Sequence, residues 1–314
     1  PIGKKPRYGP WGGAKGGIRY DSSKPDAETV LRGWARALFE YGVIPKRYIF
    51  GLDVGLKEWA TRAIVEELGS RKVSTGKPAN LGGIPYDELG VTGYGLALAM
   101  DLMAQARGID VRNSATKIGF QGFGAVGYGT ATWFEKLYPD GAKIVAVSDM
   151  HGSVYCDAGL TANEYKKLLA QPLDASQTPK GVEQLRLGEE LELPIDILVL
   201  GYKEDQITEK NMRRIAAPVV VEGANRGISD MTEKYLWQNG TLSLTDFTIN
   251  CGASSIVYVE HADGSVEEGL EYVHEVITTN VSYLLKEAQT SMLSPRELAE
   301  EIAKTEVRKA TAQI

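Results

Sequence analysis

Apolar residues recur at helical spacing early in the chain. Val30, Leu31, Trp34 and Leu38 follow Pro25 and Asp26 and predict a helix to Tyr41, closed by Gly42. Trp59, Ile64, Val65 and Leu68 mark a second helix stopped by Gly69, and Leu96 to Ala106 a third with Gly108 at its C′ position. Arg47–Leu52 reads as a short strand. Beyond Ala115 the rhythm becomes an alternation. Strands are predicted at Thr116–Gln121, Lys143–Ser148, Ile195–Leu200 and Pro218–Val221, and helices at Ala125–Leu137, Leu160–Leu169, Thr208–Ile215 and Met231–Asn239. This is βαβ grammar, implying a parallel sheet with helices on both faces. Val266 to Ala312 is mostly helix-forming, broken near Ser294 and Pro295. Met100, Met103, Trp34 and Trp59 fit helix faces packed in a core.

Composition narrows the class. The chain of 314 residues is 43% hydrophobic and 24% charged, as folded proteins are, and its length suits two domains. With 35 basic and 41 acidic side chains the net charge is −6, which gives no general attraction to nucleic acid or to anionic membranes. No apolar run approaches the ~20 residues that span a bilayer. Cys156 and Cys251 form no CxxC, and His151, His261 and His274 form no cluster, so neither a disulfide scaffold nor a metal site is expected. A soluble, cytoplasmic protein is the expectation. The chain opens with Pro1 rather than Met.

Glycine placement brings in chemistry. The strand ending at Gln121 runs into Gly122-Phe123-Gly124-Ala125-Val126-Gly127, a GxGxxG turn opening the helix from Ala125, and Asp149 ends the next strand 22 residues beyond Gly127. That is the arrangement of a dinucleotide site. Glycines allow the tight turn, helix amides hold the pyrophosphate, and the acid takes the ribose hydroxyls. An acid at 149 would repel a 2′-phosphate, which favours NAD, with NADP possible. Lys15 lies within Gly12-Gly13-Ala14-Lys15-Gly16-Gly17. Flexible glycines let substrate crowd the ammonium, and burial would lower its pKa toward acid–base work near neutrality. Asp53, in Gly51-Leu52-Asp53-Val54-Gly55, offers a carboxylate; it could equally be a helix N-cap.

Together these blocks resemble the glutamate/leucine/phenylalanine/valine dehydrogenase family, nearest its glutamate branch. Pro10-Trp11-Gly12-Gly13-Ala14-Lys15-Gly16-Gly17-Ile18 is similar to the family's substrate-lysine motif, and Asp53-Val54-Gly55 to its catalytic-aspartate segment. Gly76-Lys77-Pro78, Leu81-Gly82-Gly83 and Thr92-Gly93-Tyr94-Gly95 follow in family order, then the glycine turn, Glu222-Gly223-Ala224-Asn225 and Asn250-Cys251-Gly252-Ala253. The resemblance implies a Rossmann-like α/β dinucleotide-binding domain (98–275), a partial α/β substrate domain (1–97) and C-terminal helices (276–314) returning to the latter. It implies catalysis by Lys15 and Asp53. The cofactor would be held by Thr92, by Gly122, Phe123, Gly124, Ala125, Val126 and Gly127, and by Asp149, Asn225 and Asn250. Lys15, Lys4, Asn250 and Val257 would contact substrate. The implied reaction converts an L-amino acid reversibly to its 2-oxo acid and ammonia with NAD, in a homo-oligomer, a hexamer by resemblance.

Several positions depart from the family pattern. Few residues precede Lys15, so the family's N-terminal segment, with the lysine that meets a glutamate side chain, is expected to be lacking; a second family lysine falls on Gly3, and Lys4 or Lys5 could replace it or equally be a solvated terminal charge. Val257 replaces a serine facing that carboxylate and cannot hydrogen-bond it. Tyr202-Lys203 adds bulk after the strand ending at Leu200. These departures keep two further readings open: a leucine- or phenylalanine-type dehydrogenase, and a non-catalytic NAD-binding paralogue serving as a structural or regulatory subunit.

Overall fold

A computed structural model of the chain describes residues 1–2, 7, 12–52, 56–171, 173 and 178–311. In order, the elements are α1 (Ala27–Glu40), α2 (Glu58–Leu68), α3 (Val91–Ala106), β1 (Lys117–Gln121), α4 (Ala125–Leu137), β2 (Lys143–Asp149), β3 (Gly152–Tyr155), α5 (Ala162–Leu168) and β4 (Glu183–Leu185). They continue with β5 (Ile197–Leu200), β6 (Val219–Glu222), α6 (Asp230–Gln238), β7 (Leu242–Leu244), α7 (Asp246–Ile249), α8 (Gly252–His261), α9 (Val266–Ala288) and α10 (Pro295–Thr311). The chain divides into two compact units, one spanning 1–3, 90–252 and 274–314, the other 4–89 and 253–273. Among the described residues no helix is long and apolar enough to cross a membrane.

The larger unit is built on a seven-stranded sheet in the order β4-β3-β2-β1-β5-β6-β7. The five strands β2, β1, β5, β6 and β7 are parallel, as the alternation predicts. In register, Phe120 lies between Val147 and Val199. The strands are near-continuous apolar runs, Ile197–Leu200 and Val219–Val221 being fully buried, because a central parallel sheet is covered on both faces. α3 is buried almost all round and meets α4 glycine to glycine: a β-carbon on Gly93 would lie 2.3 Å from the Gly129 carbonyl carbon.

Three local expectations are corrected. The sheet is mixed, since β3 turns back antiparallel on β2 and β4 on β3. Thr208–Ile215 forms only a short 3-10 turn at Met212–Arg214. There Asn211 accepts the Thr208 N–H at 2.8 Å and donates to the Gln206 carbonyl at 2.9 Å, so its amide competes with the helix ladder. Arg47–Leu52 makes a single parallel bridge, Phe50 to Ser74, rather than a strand. The segment has one neighbour, and only Phe50 uses it, donating to Val73 and accepting from Thr75.

The smaller unit packs α1 on α2. Leu31, Ala35, Ile44, Phe50, Ile64 and Val73 form its core, with Trp34, Tyr48 and Trp59 half-buried at the edge. Gly69, at φ +62°, ends α2 in the left-handed conformation that glycine adopts without a β-carbon clash. Lys77 and Glu260 are ion-paired in the interior, and Glu260 also accepts the Gly76 and Ile84 N–H groups at 3.0 and 3.1 Å. That carboxylate fixes the end of α8 on the 76–84 loop.

Candidate active site

In the larger unit the sequence-predicted cofactor residues gather at the carboxyl ends of the parallel strands. β2 lies on one side of β1 and β5 on the other, so the chain reverses its direction of travel at the β1/β5 boundary, where open α/β sheets present a crevice. Gly122 turns the chain out of β1 at φ +87° and donates to the Ser148 carbonyl at 3.0 Å. A β-carbon there would also lie 2.6 Å from the Tyr202 backbone nitrogen, so the loop after β5 rests on this glycine. Gly127 closes α4 onto the turn, since a β-carbon would lie 2.0 Å from the Gly122 carbonyl oxygen. Gly124 is the N-cap of α4, exposed, with nothing within 4 Å of where its β-carbon would be. No side chain caps this helix, so its first N–H groups face outward beside an open glycine, suited to a pyrophosphate.

The neighbouring residues differ in how they are presented. The Phe123 ring turns inward, edge-on to Phe120 and Tyr165 at 5.7 and 6.2 Å, leaving only its backbone to a ligand. Ala125 is exposed and Val126 half-buried, its Cγ1 against Gly223. Asp149 ends β2 next to the turn; its carboxylate accepts the His151 N–H at 2.7 Å, and His151 Nδ1–H donates to the Leu169 carbonyl at 2.6 Å. Beneath it the fully buried Glu190 accepts the Ser148 and Ser153 hydroxyls at 2.7 and 2.9 Å, tying β2 to β3.

At the far side, Asn250 follows α7 and donates to Asn225 Oδ1 at 2.8 Å and to the Gly223 carbonyl at 3.2 Å. Gly252, two residues on, sits against the start of α3: its β-carbon would lie 3.3 Å from the α-carbon of Thr92. Thr92, Asn225 and Asn250 therefore share one corner. The Asn225 loop is anchored from below by Glu222, wholly buried, which accepts Arg296 at 3.0 Å and the Ile228 N–H at 3.0 Å. Burial pushes Glu222 up to about 8, with Arg296 offsetting part of the shift.

The smaller unit holds a cavity of about 580 Å³. One wall is the glycine segment carrying Lys15; Gly16 lies over Trp34 and Tyr48, 3.7 and 3.6 Å from where its β-carbon would be. Leu52 and Thr75 contribute another side, and Val257, Tyr258 and His261 of α8 a third. Trp34 and Trp59 thus have a second face beyond the core packing expected of them. Lys15 reaches the cavity from exposed coil, which corrects the expectation that its glycines bury it. Segment 12–19 makes no regular structure, and small residues alone cannot cover an ammonium. Lys4 and Asp53 lie outside the described residues.

Comparison with known proteins bears on this arrangement. The family profile described as Glutamate/Leucine/Phenylalanine/Valine dehydrogenase matches residues 82–313. A glutamate dehydrogenase of Aeropyrum pernix is 31% identical over 326 residues, covering 96% of this chain and 75% of the relative. An NADP(+)-dependent glutamate dehydrogenase of Pyrobaculum calidifontis is 30% identical, covering 87% of this chain and 68% of the relative. The hetero-hexameric glutamate dehydrogenase of Thermus thermophilus, in its leucine-bound form, superimposes with a TM-score of 0.77 at 28% identity over 92% of this chain and 70% of that one. The chain belongs to the Glutamate/Leucine/Phenylalanine/Valine dehydrogenase family.

Membership makes the protein a nicotinamide-dependent amino-acid dehydrogenase with a Rossmann-like nucleotide fold. The residues of the larger unit suit such a cofactor on their own terms: an uncapped helix N-terminus beside an open glycine, an acid at the end of β2, and an amide pair across the sheet. Sequence reasoning missed His261 and Tyr258. Their signal was the helical spacing of Val257 and His261, i and i+4, which places both on one face of α8.

Proposed function

We propose that the protein catalyses reversible NAD(P)-dependent oxidative deamination of an L-amino acid, with glutamate as first substrate, to the 2-oxo acid and ammonia. The balance is amino acid, water and oxidised cofactor giving oxo acid, ammonium, reduced cofactor and one proton. The observation that carries the reading is the open, uncapped α4 N-terminus at the β1/β5 boundary, in a member of an amino-acid dehydrogenase family. A cofactor held there by its pyrophosphate would supply the hydride acceptor in its nicotinamide ring.

The chain's own groups do the rest. Beside Gly124 the first amides of α4 donate to the pyrophosphate, and the Asp149 carboxylate accepts from ribose hydroxyls, which favours NAD over NADP. Thr92, Asn225 and Asn250 orient the nicotinamide amide through hydrogen bonds. Lys15 holds the substrate at its α-carbon end and polarises the carbonyl, or the iminium that precedes it, for addition of water. Asp53 carries protons between amino group and water by resemblance to the family. The protein works in the cytoplasm as a homo-oligomer; the hetero-hexameric Thermus neighbour supports assembly of several subunits as an analogy, not that they are identical.

A second reading is favoured by one observation. Val257, Trp34, Trp59 and Leu52 give the cavity much apolar lining, which suits a leucine- or phenylalanine-type substrate. Assay of the purified chain with L-glutamate, L-leucine, L-phenylalanine and L-valine, each with NAD and NADP, tests both. Reduction of cofactor by glutamate above all supports the first reading, and by an apolar amino acid the second. No reduction with any pair overturns the proposed activity.

A further inference from the structure

We infer that His261 is the residue that recognises a carboxylate at the end of the substrate side chain, making the preferred substrate class dicarboxylic amino acids. The inference rests on the dehydrogenase reading and deepens it. Glutamate brings two anionic ends to the cavity. Lys15, on the glycine segment, can meet one of them. Val257 cannot meet the other, because an aliphatic side chain has no donor, and a buried carboxylate without a partner is costly. One helical turn beyond Val257, on the same face of α8, His261 lines the same cavity and is half-buried. Among the described lining residues, Lys15 and His261 are the two that can carry positive charge facing it. An anion with a carboxylate at each end matches a cavity lined by Lys15 from the glycine segment and His261 from α8, with Asp21 an acid on the same lining.

Charged groups of both signs surround His261. Lys72 and Lys77 reach it from the 71–77 segment, and Asp263 and Glu260 from its own end of α8 and the turn beyond. Lys77 is ion-paired with Glu260 in the interior, and Lys72 donates to Asp263 and to the His261 carbonyl, both at 2.6 Å. Each lysine is paired with an acid and none of the four lines the cavity, so the imidazole is the group of this cluster that touches the contents. Burial and these two lysines hold the imidazole below its ordinary range, and it is neutral at pH 7. A bound carboxylate reverses that preference, so binding of a dicarboxylate draws a proton onto His261 and strengthens as pH falls.

Tryptophan fluorescence provides the test, because Trp34 and Trp59 line the cavity. The full chain is titrated with 2-oxoglutarate and with 2-oxoisocaproate, the oxo acids of glutamate and leucine, between about pH 5 and about pH 8. Amino-acid turnover is measured alongside. In the parent the affinity ratio of the dicarboxylate to the monocarboxylate rises as pH falls. His261→Leu lowers the ratio by about tenfold or more, the loss of one hydrogen bond to a charged group. His261→Lys restores the ratio and flattens its pH dependence, which a merely structural role would not produce. A ratio that ignores both pH and these substitutions, in a parent that oxidises amino acids, overturns the inference alone. A parent that binds neither oxo acid and oxidises no amino acid overturns the proposed function and this inference with it.

Discussion

Replacing Gly124 by alanine adds one methyl group where α4 begins, and nothing lies within 4 Å of that methyl. The backbone there has φ −73° and ψ −158°, which alanine adopts. Glycine to alanine at an N-cap costs at most about 1 kcal/mol of stability. A pyrophosphate oxygen held by the first amides of α4, in contrast, would meet the methyl. Losing one charge-assisted hydrogen bond costs about 1.5–3 kcal/mol, which is roughly 10- to 150-fold in Kd. Gly127→Ala is the control with the opposite signature, because its methyl lies 2.0 Å from the Gly122 carbonyl oxygen and must push the turn apart. Overpacking of that kind costs about 1–3 kcal/mol of stability. The assay is a titration with reduced NAD by fluorescence, beside a thermal melt for each variant. Gly124→Ala should melt nearly as the parent does and bind cofactor at least about tenfold more weakly. Unchanged affinity in Gly124→Ala would place the pyrophosphate elsewhere and refute the reasoning.

Lys15→Ala should abolish turnover while changing stability by less than about 0.5 kcal/mol, because the residue is exposed; a steady-state assay and a melt decide it. Asp149→Ser should raise the kcat/KM ratio of NADP to NAD, read from initial rates with each cofactor, by removing a carboxylate beside the ribose. Arg296→Leu removes the guanidinium that offsets part of the burial penalty on Glu222, and it should destabilise the protein most in urea unfolding where that carboxylate is ionised. Burial already raises the folded-state pKa of Glu222 from 4.5 to about 8, so the native state takes up a proton that the unfolded chain releases. Stability from this group is therefore greatest below pH 4.5 and falls toward about 8, and the deficit of the variant should widen above about 8, where Glu222 of the parent ionises beside Arg296 and that of the variant resists ionisation.

How much the sequence disclosed depends on where each signal resides. The glycine turn and the bounds of α4 were legible because strand, GxGxxG and helix follow one another within a dozen residues, and the apolar runs of β5 and β6 are their own signature. β3 and β4 were not, because four- and three-residue strands are set by pairing with β2 rather than by their own pattern. The 208–215 segment carried helical periodicity, and the Asn211 side chain overrode it. The cavity is the clearest case of tertiary information. Lys15 and His261 stand far apart along the chain and are joined only by the fold, so neither histidine spacing nor charge pattern could connect them. Val257 was visible as a residue unable to bind a carboxylate, and the i, i+4 spacing is the local mark that ties His261 to its face of α8.

The central claim is that a hydrogen leaves the α-carbon of an amino acid for the nicotinamide. The direct measurement uses L-glutamate deuterated at its α-carbon, incubated with the protein and oxidised cofactor, with the reduced cofactor then examined by mass spectrometry and NMR. One deuterium at C4 of the dihydronicotinamide, with 2-oxoglutarate formed in equal amount, is the predicted result. Reduced cofactor without label, or none formed at all while the protein binds NAD, would contradict it.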